Sequence, residues 1–280
     1  MHRRRHRRVR NPLHRSARVN LSPQIIGELA DRVLHAQDHA HTITKLTDEH
    51  PSMTIEDSYA VQDELRRRWI ARGDRVIGMK AGLTSKAKMQ QMGVHVPSFG
   101  ILTNAMARPE NGAIQIRELV HPRVEAEIAF VLKKPLSGPG CSIEQVLDAT
   151  DFVIPAVEVI DSRYEKFKFD LISVIADNGS SSRYVTGGRP RDPRELDLRT
   201  IGVVIEKNGE IQAVGASAAV LNHPANAILM LLEHLHARGE SLPAGSFVMT
   251  GGITEAIPVA AGDSIVARFQ DMGSVSFRFA

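Results

Sequence analysis

The sequence holds a single cysteine, Cys141, in 280 residues. That excludes an internal disulfide and a thiolate metal cluster, and it fits a reducing cytoplasm. No apolar run approaches the ~18 residues of a membrane span, so the expectation is a soluble chain without membrane partners. There is no GxGxxG after a strand-like run, no P-loop and no internal repeat, so nucleotide chemistry by those routes has no support. Acids are missing from residues 1–18 (MHRRRHRRVRNPLHRSAR), which carry eight arginines. Beyond that arm, 27 basic residues face 32 acidic ones, a net −5 where the whole chain has +3. The body is mildly acidic.

Four readings of the arm compete: a nucleic-acid contact, an organelle transit peptide, a disordered tail, or upstream sequence from a mis-assigned start. No aromatic residue interleaves the arginines and Ser16 is the only serine, which weighs against the first two. A lone charge block is most simply a solvated tail, so no nucleic-acid partner is expected. Residues 1–19 are therefore set aside as a disordered basic extension.

The chain as a whole has ordinary globular composition, 42% hydrophobic and 24% charged. Ser22-Pro23 marks a helix start leading into IIGELADRVL. Thr54 with Asp57 resembles a capping box, and the helix that follows runs to Gly73. These helices suggest an N-terminal subdomain over residues 20–75. Then short β-branched or alternating runs take over: VIGMKAGL, VEAEIAFVL, FVIPAVEVI, LISVIADN, TIGVVIEK, SFVMTGG and SIVARF. Asn208-Gly209 signals a hairpin. Helical patterns interrupt at SKAKMQQM, SIEQVLDAT and PANAILMLLEHLHARG. Strands outnumber helices and several stand too close for crossovers, so the fold class is α+β with a largely antiparallel or mixed curled sheet.

Chemistry concentrates at Glu125-Ala-Glu127. On a strand these two side chains share a face, with Cα atoms ~6–7 Å apart, while Val124, Ala126, Ile128 and Phe130 form the other face. A solvent-facing polar strand would also explain the pair, but Ala129 and Val131 continue the acidic face with apolar side chains, as in a pocket wall. Glu158 lies in the otherwise apolar FVIPAVEVI, where an unpaired carboxylate is costly to bury. Three carboxylates without cysteine or histidine suit Mg²⁺ or Mn²⁺ better than zinc. His121, before Pro122, reads as structural. Lys80 within VIGMKAGL either reaches the surface or points into a polar cleft, where a nearby cation would lower its pKa. Thr84 or Ser85 can cap a helix. The loop ADNGSSSRYVTGG gathers Asn178, Gly179, Ser180, Ser181 and Ser182, either as a generic polar loop or as a nest for an anion. Arg163 and Lys168 are candidate counter-charges for a substrate carboxylate, whereas Glu165 and Lys166 read as surface. His223 reads as a cap. Thr250, Gly251 and Gly252 allow close backbone approach to a ligand, or simply a tight turn.

GMKAGLTSKAKMQQMGV, HPRVEAEIAFVL, VIPAVEVIDSRY and SVIADNGSSSRYVTGG follow one another along the chain. Together they resemble the hydratase/decarboxylase family of the fumarylacetoacetate hydrolase superfamily, over residues 21–280. The resemblance implies a mixed β-roll catalytic domain over 76–280. It implies Mg²⁺ (or Mn²⁺) on Glu125, Glu127 and Glu158, Lys80 as the active-site lysine, and Ser180 and Ser181 in a substrate loop. The activity implied is decarboxylation of 2-oxo-3-hexenedioate to 2-hydroxypenta-2,4-dienoate and CO₂ in meta-cleavage aromatic catabolism, as a cytoplasmic lyase. The alternative within the family is hydration of 2-hydroxypenta-2,4-dienoate. A non-catalytic interaction protein, for which only the basic arm speaks, is the alternative of another class. A homo-oligomer and a complex with a partner hydratase are implied as well. The arginine-rich arm has no counterpart in the family pattern.

Overall fold

The computed structural model describes residues 19–85, 89–90 and 97–280. The basic arm lies outside the described residues, as does most of the SKAKMQQM segment. Among the described residues no helix is long and apolar enough to cross a membrane.

Helix α1 (Pro23–Asp38) begins where the sequence predicts, with Ser22 accepting the Ile25 N–H and proline in the first turn. After the short α2 (Leu46–Glu49), α3 (Ile55–Ala71) starts with the full capping box of Thr54 and Asp57. Asp57 also accepts the Asn20 and Leu21 N–H groups at 2.7 and 2.9 Å, pinning the approach to α1 against the start of α3.

Two sheets follow. The larger runs in the order β2 (Ser98–Thr103), β1 (Val76–Gly82), β10 (Phe247–Met249), β5 (Pro122–Leu132), β6 (Thr150–Asp161), β7 (Ser181–Thr186), β3 (Ala107–Arg108), with β11 (Ile257–Pro258) also on β5. It is mixed: β1 pairs β10 in parallel and β3 pairs β7 in parallel, while β5 and β6 are antiparallel. The smaller sheet runs β4 (Ala113–Ile114), β13 (Gly273–Phe279), β12 (Ser264–Phe269), β8 (Gly202–Lys207), β9 (Glu210–Ala216). Asn208 and Gly209 join β8 to β9 with φ of 57° and 82°, the paired left-handed residues of a tight hairpin turn. Later along the chain lie α4 (Ile143–Ala149), α5 (Leu171–Ala176) and α6 (Ala225–Ala237).

The segment LISVIA, expected as a strand, is α5. Asp170 caps it by accepting the Ser173 N–H at 2.8 Å. Val174, Ile175 and Ala176 are buried, so tertiary packing overrides the β preference of the branched residues. The serine loop therefore follows a helix.

Strand alternation places the site. Val124, Ala126, Ile128 and Phe130 of β5 enter a core shared with the smaller sheet and α6. Burial of such side chains contributes about 1.5–3 kcal/mol each. Ala129, with Ala156, Tyr184 and Met249, enters a second core beneath α1 and α3. Glu125 and Glu127, in phase with Ala129, belong to the side covered by those helices.

Candidate metal centre and active site

Glu125 stands directly opposite Glu158 in the β5–β6 register, and Glu127 is two residues further along the same face. The three side chains each offer an oxygen within 4.8 Å of the others, and they are 7%, 0% and 0% exposed for Glu125, Glu127 and Glu158. Lys80, 3% exposed on β1, brings its Nζ to 3.0 Å from Glu158 Oε2. It also donates to the Gly179 carbonyl at 3.1 Å. These four groups carry three negative charges and one positive, a deficit that a divalent cation would neutralise.

Whether the residues fit such a cation can be read from their unsatisfied atoms. Glu127 Oε1 and Glu158 Oε1 are buried without a hydrogen-bond partner. Buried carboxylate oxygens are rarely left so. The donors are all hard oxygens, suited to Mg²⁺ or Mn²⁺. Oxygens ~2.1 Å from one ion lie at most ~4.2 Å apart, so the three arms need to close only slightly. The residues fit the group.

Burial, and then the charge of Glu158, raise the Glu127 pKa well above the ordinary carboxylate value. For Lys80 the balance of the protein's own groups favours the charged form. Burial disfavours its ammonium, but Glu158, Glu127 and Glu125 together outweigh that and raise its pKa. The protein's own groups thus hold Lys80 protonated.

Backbone closes tightly around these side chains. Gly251 donates its N–H to Glu127 Oε2 at 2.7 Å. It does so at φ 103°, where a Cβ would lie 2.0 Å from Thr84 Oγ1. A Cβ on Gly252 would lie 2.9 Å from the Glu125 carboxyl carbon. Both glycines answer to close approach, one of the two roles the sequence left open for them.

The loop after α5 holds three successive left-handed residues, Asn178, Gly179 and Ser180, at φ 52°, 64° and 58°. Asn178 acts as a side-chain clasp on β2, accepting the Ile101 N–H at 2.7 Å and donating to the Ile101 carbonyl at 2.9 Å. Gln62 on α3 ties the same region together by donating to the carbonyls of Phe99 and Ile175. So held, the loop aims the Gly179 carbonyl at Lys80 and leaves the Ser180 hydroxyl, 2% exposed, without a partner. Ser181 is buried at the start of β7, opposite Ile160.

Other candidates are occupied elsewhere. Arg163, expected as a substrate counter-charge, is 1% exposed and committed to the interior. It donates to Asp177 Oδ1 at 2.5 Å, to the Asp161 carbonyl at 2.5 Å and to the Asp177 carbonyl at 2.8 Å. The Thr250 hydroxyl donates to the Ile128 carbonyl at 2.8 Å, fastening the turn to β5. Lys168 is exposed just past the turn at Glu165–Phe167, and among the described residues no contact links it to the triad. His121 Nδ1 meets the Ser162 carbonyl at 3.1 Å, and His223 Nδ1 accepts the Ala225 N–H at 3.0 Å as a cap. Asp177 and the Gly179 carbonyl were missed. A carboxylate just before a loop of small polar residues was the available signal.

The fumarylacetoacetate (FAA) hydrolase C-terminal family matches residues 75–280. The chain belongs to the fumarylacetoacetate hydrolase family. A family member from Pseudomonas sp. (strain CF600), 4-oxalocrotonate decarboxylase, is 58% identical over 90% of this chain and 95% of its own length. The 2-hydroxyhexa-2,4-dienoate hydratase of Comamonas testosteroni is 39% identical over 91% of this chain and 98% of its own. Among solved structures, the 4-oxalocrotonate decarboxylase from Pseudomonas putida G7, complexed with magnesium and adipate, superposes with a TM-score of 0.92. It has 53% sequence identity, covering 94% of this chain and 100% of that one.

Proposed function

We propose that this protein is a carboxy-lyase that converts 2-oxo-3-hexenedioate to 2-hydroxypenta-2,4-dienoate and CO₂, with Mg²⁺ as its cofactor. The observation that carries the reading is the buried Glu125–Glu127–Glu158 cluster, with its orphaned oxygens, beside the buried Lys80 Nζ 3.0 Å from Glu158. Two of the 4-oxalocrotonate decarboxylases it resembles, at 58% and 53% identity, support it over the Comamonas testosteroni hydratase at 39%. Glu125, Glu127 and Glu158 would hold the divalent cation, which would supply Lewis-acid stabilisation of negative charge on the 2-oxo acid.

The chain's own residues do the rest. Lys80 has three N–H donors; Glu158 and the Gly179 carbonyl engage two, leaving one to face the substrate. As an ammonium it stabilises negative charge growing on the C2 oxygen and can deliver the proton that makes the enol. The Ser180 hydroxyl offers a further hydrogen bond to the 2-oxo acid head. Near-complete burial excludes water, which strengthens each of these interactions and disfavours hydration.

The product enol ketonises readily, so a partner hydratase taking it directly, and a homo-oligomeric scaffold for that complex in a reducing cytoplasm, complete the proposal. The test is a CO₂-release assay on 2-oxo-3-hexenedioate with Mg²⁺ and with chelator. Mg²⁺-dependent CO₂ release, with little hydration of 2-hydroxypenta-2,4-dienoate, is expected. Rapid hydration of the dienoate without CO₂ release from the diacid would move the protein to the hydratase branch.

A further inference from the structure

With Arg163 committed to Asp177, the positive charge that meets the far carboxylate of a six-carbon diacid has to come from another residue. We propose that Arg123, stacked on Phe167 at the outer end of the acidic face of β5, receives that carboxylate and sets the preference for dicarboxylates. The proposal rests on the triad being the seat of the 2-oxo acid head.

Four observations support it. First, Arg123 lies two residues before Glu125 on one strand, so the two share a face and stand ~6–7 Å apart along it. The substrate's five carbon–carbon bonds of ~1.5 Å span a comparable distance in zigzag. Second, Arg123 is half-buried, and among the described residues no ion pair or side-chain hydrogen bond involves it. Third, its guanidinium carbon lies 4.0 Å from the Phe167 ring centroid. A stacked guanidinium keeps its charge and points its N–H edge outward, the geometry that grips a carboxylate with two parallel bonds. Fourth, the ring is held in place at a conformational cost. Lys166 and Phe167 have φ of 56° and 57°, which is rare for bulky side chains and persists where surroundings enforce it. Phe169 packs on Phe167 at 5.4 Å, with His121 edge-on at 6.5 Å.

The chemistry favours this kind of grip. During decarboxylation the C5–C6 bond electrons form the C4–C5 double bond and flow on to the C2 oxygen, so the distal carboxylate loses its charge. A clamp as deep as the Arg163–Asp177 pair would hold the ground state and raise the barrier. A half-buried, ring-stacked cation orients the group and lets it go. Its contribution therefore belongs to binding and appears in KM more than in kcat.

The experiment compares two substrate analogues, 2-oxoadipate and 2-oxohexanoate, as competitive inhibitors of the Mg²⁺-loaded protein. Wild type is expected to prefer the diacid by roughly 10- to 100-fold, as for a hydrogen-bonded charge. Arg123→Gln should remove that preference while leaving 2-oxohexanoate binding unchanged, and should raise KM for the diacid substrate with kcat altered much less. Arg123→Lys should retain part of the preference, and Phe167→Leu should reduce it by a smaller factor. Melting curves for each variant establish that it is folded, and Arg123→Met, which keeps the packing on Phe167, covers the case in which Arg123→Gln does not fold. An intact diacid preference in a folded Arg123→Gln or Arg123→Met protein would overturn the proposal alone. Binding of 2-oxohexanoate to wild type without Mg²⁺ dependence would overturn the triad reading and this proposal with it.

Discussion

Two buried ion pairs lie on either side of the loop after α5, and they are built to opposite standards. Arg163–Asp177 is saturated: the guanidinium reaches a carboxylate oxygen and two backbone carbonyls. Lys80–Glu158 is not, since Glu158 Oε1 and the neighbouring Glu127 Oε1 have no partner. Both pairs carry the desolvation penalty of buried charge. The saturated pair is complete as folded and serves architecture, bracing the loop that carries Asn178, Gly179 and Ser180. The unsaturated one leaves oxygens over, and on the proposed reading a cation takes them up.

The sharpest way to break that contrast is to remove Arg163. Arg163→Met should destabilise the fold by about 3–5 kcal/mol, because Asp177 is left buried and unpaired. A second change, Asp177→Leu, should recover much of the loss. Chemical denaturation checks both. A stable Arg163→Met protein with a raised KM for the diacid would return Arg163 to the role of substrate grip.

On the other pair the effect falls on turnover. Glu127→Gln should lower kcat by about 10²- to 10³-fold, the scale of a lost electrostatic stabiliser, with no loss of thermal stability, since a poorly solvated carboxylate is replaced by a neutral amide. Magnesium titration by calorimetry should show weakened binding. An unchanged titration would dissolve the metal assignment.

Mg²⁺ itself sharpens the comparison further. At a hundredfold excess over its dissociation constant it should stabilise wild type by about 2.7 kcal/mol. Proteins altered at the saturated pair should keep that increment, and Glu127→Gln should lose most of it. Thermal melts with and without the ion decide the matter.

The smallest effect concerns a titratable group outside both pairs. His234 on α6 packs 4.4 Å from the Tyr59 ring and 5.0 Å from that of Phe99. Burial, with a contribution from Arg238 and against Glu240, pushes its pKa down to about 4. Between about pH 6.5 and 4 the unfolded chain binds a proton that the folded chain refuses, so stability is full above that window and falls through it. Wild type should lose about 1–2 kcal/mol relative to His234→Phe across those pH values. Denaturation midpoints at pH 7 and pH 4.5 measure it; parallel pH profiles would contradict the assignment.

Features that repeat with a fixed period were legible in the sequence. Alternation on β5 separated Glu125 and Glu127 from Val124, Ala126, Ile128 and Phe130, and the caps at Ser22 and Thr54 fell where the structure has them. An isolated glutamate in an apolar strand marked Glu158. Pairings across long separations were not legible. Nothing local distinguishes an arginine bound to Asp177 from one facing solvent, which is why Arg163 was read as a substrate group. Nor could LISVIA declare itself a helix, because its burial beneath α3 decides the matter. The alternation rule that pairs Glu125 with Glu127 puts Arg123 on their face as well.

Along β5 the acidic face opens by degrees: Glu127 is 0% exposed, Glu125 7%, and Arg123 is half-buried. Such a gradient imposes an order of threading. A diacid enters with its 2-oxo end leading and its far carboxylate trailing, so the CO₂ it sheds is formed nearest the exit. On that path the gas leaves ahead of the diene, whose 2-oxo end sits at the buried carboxylates.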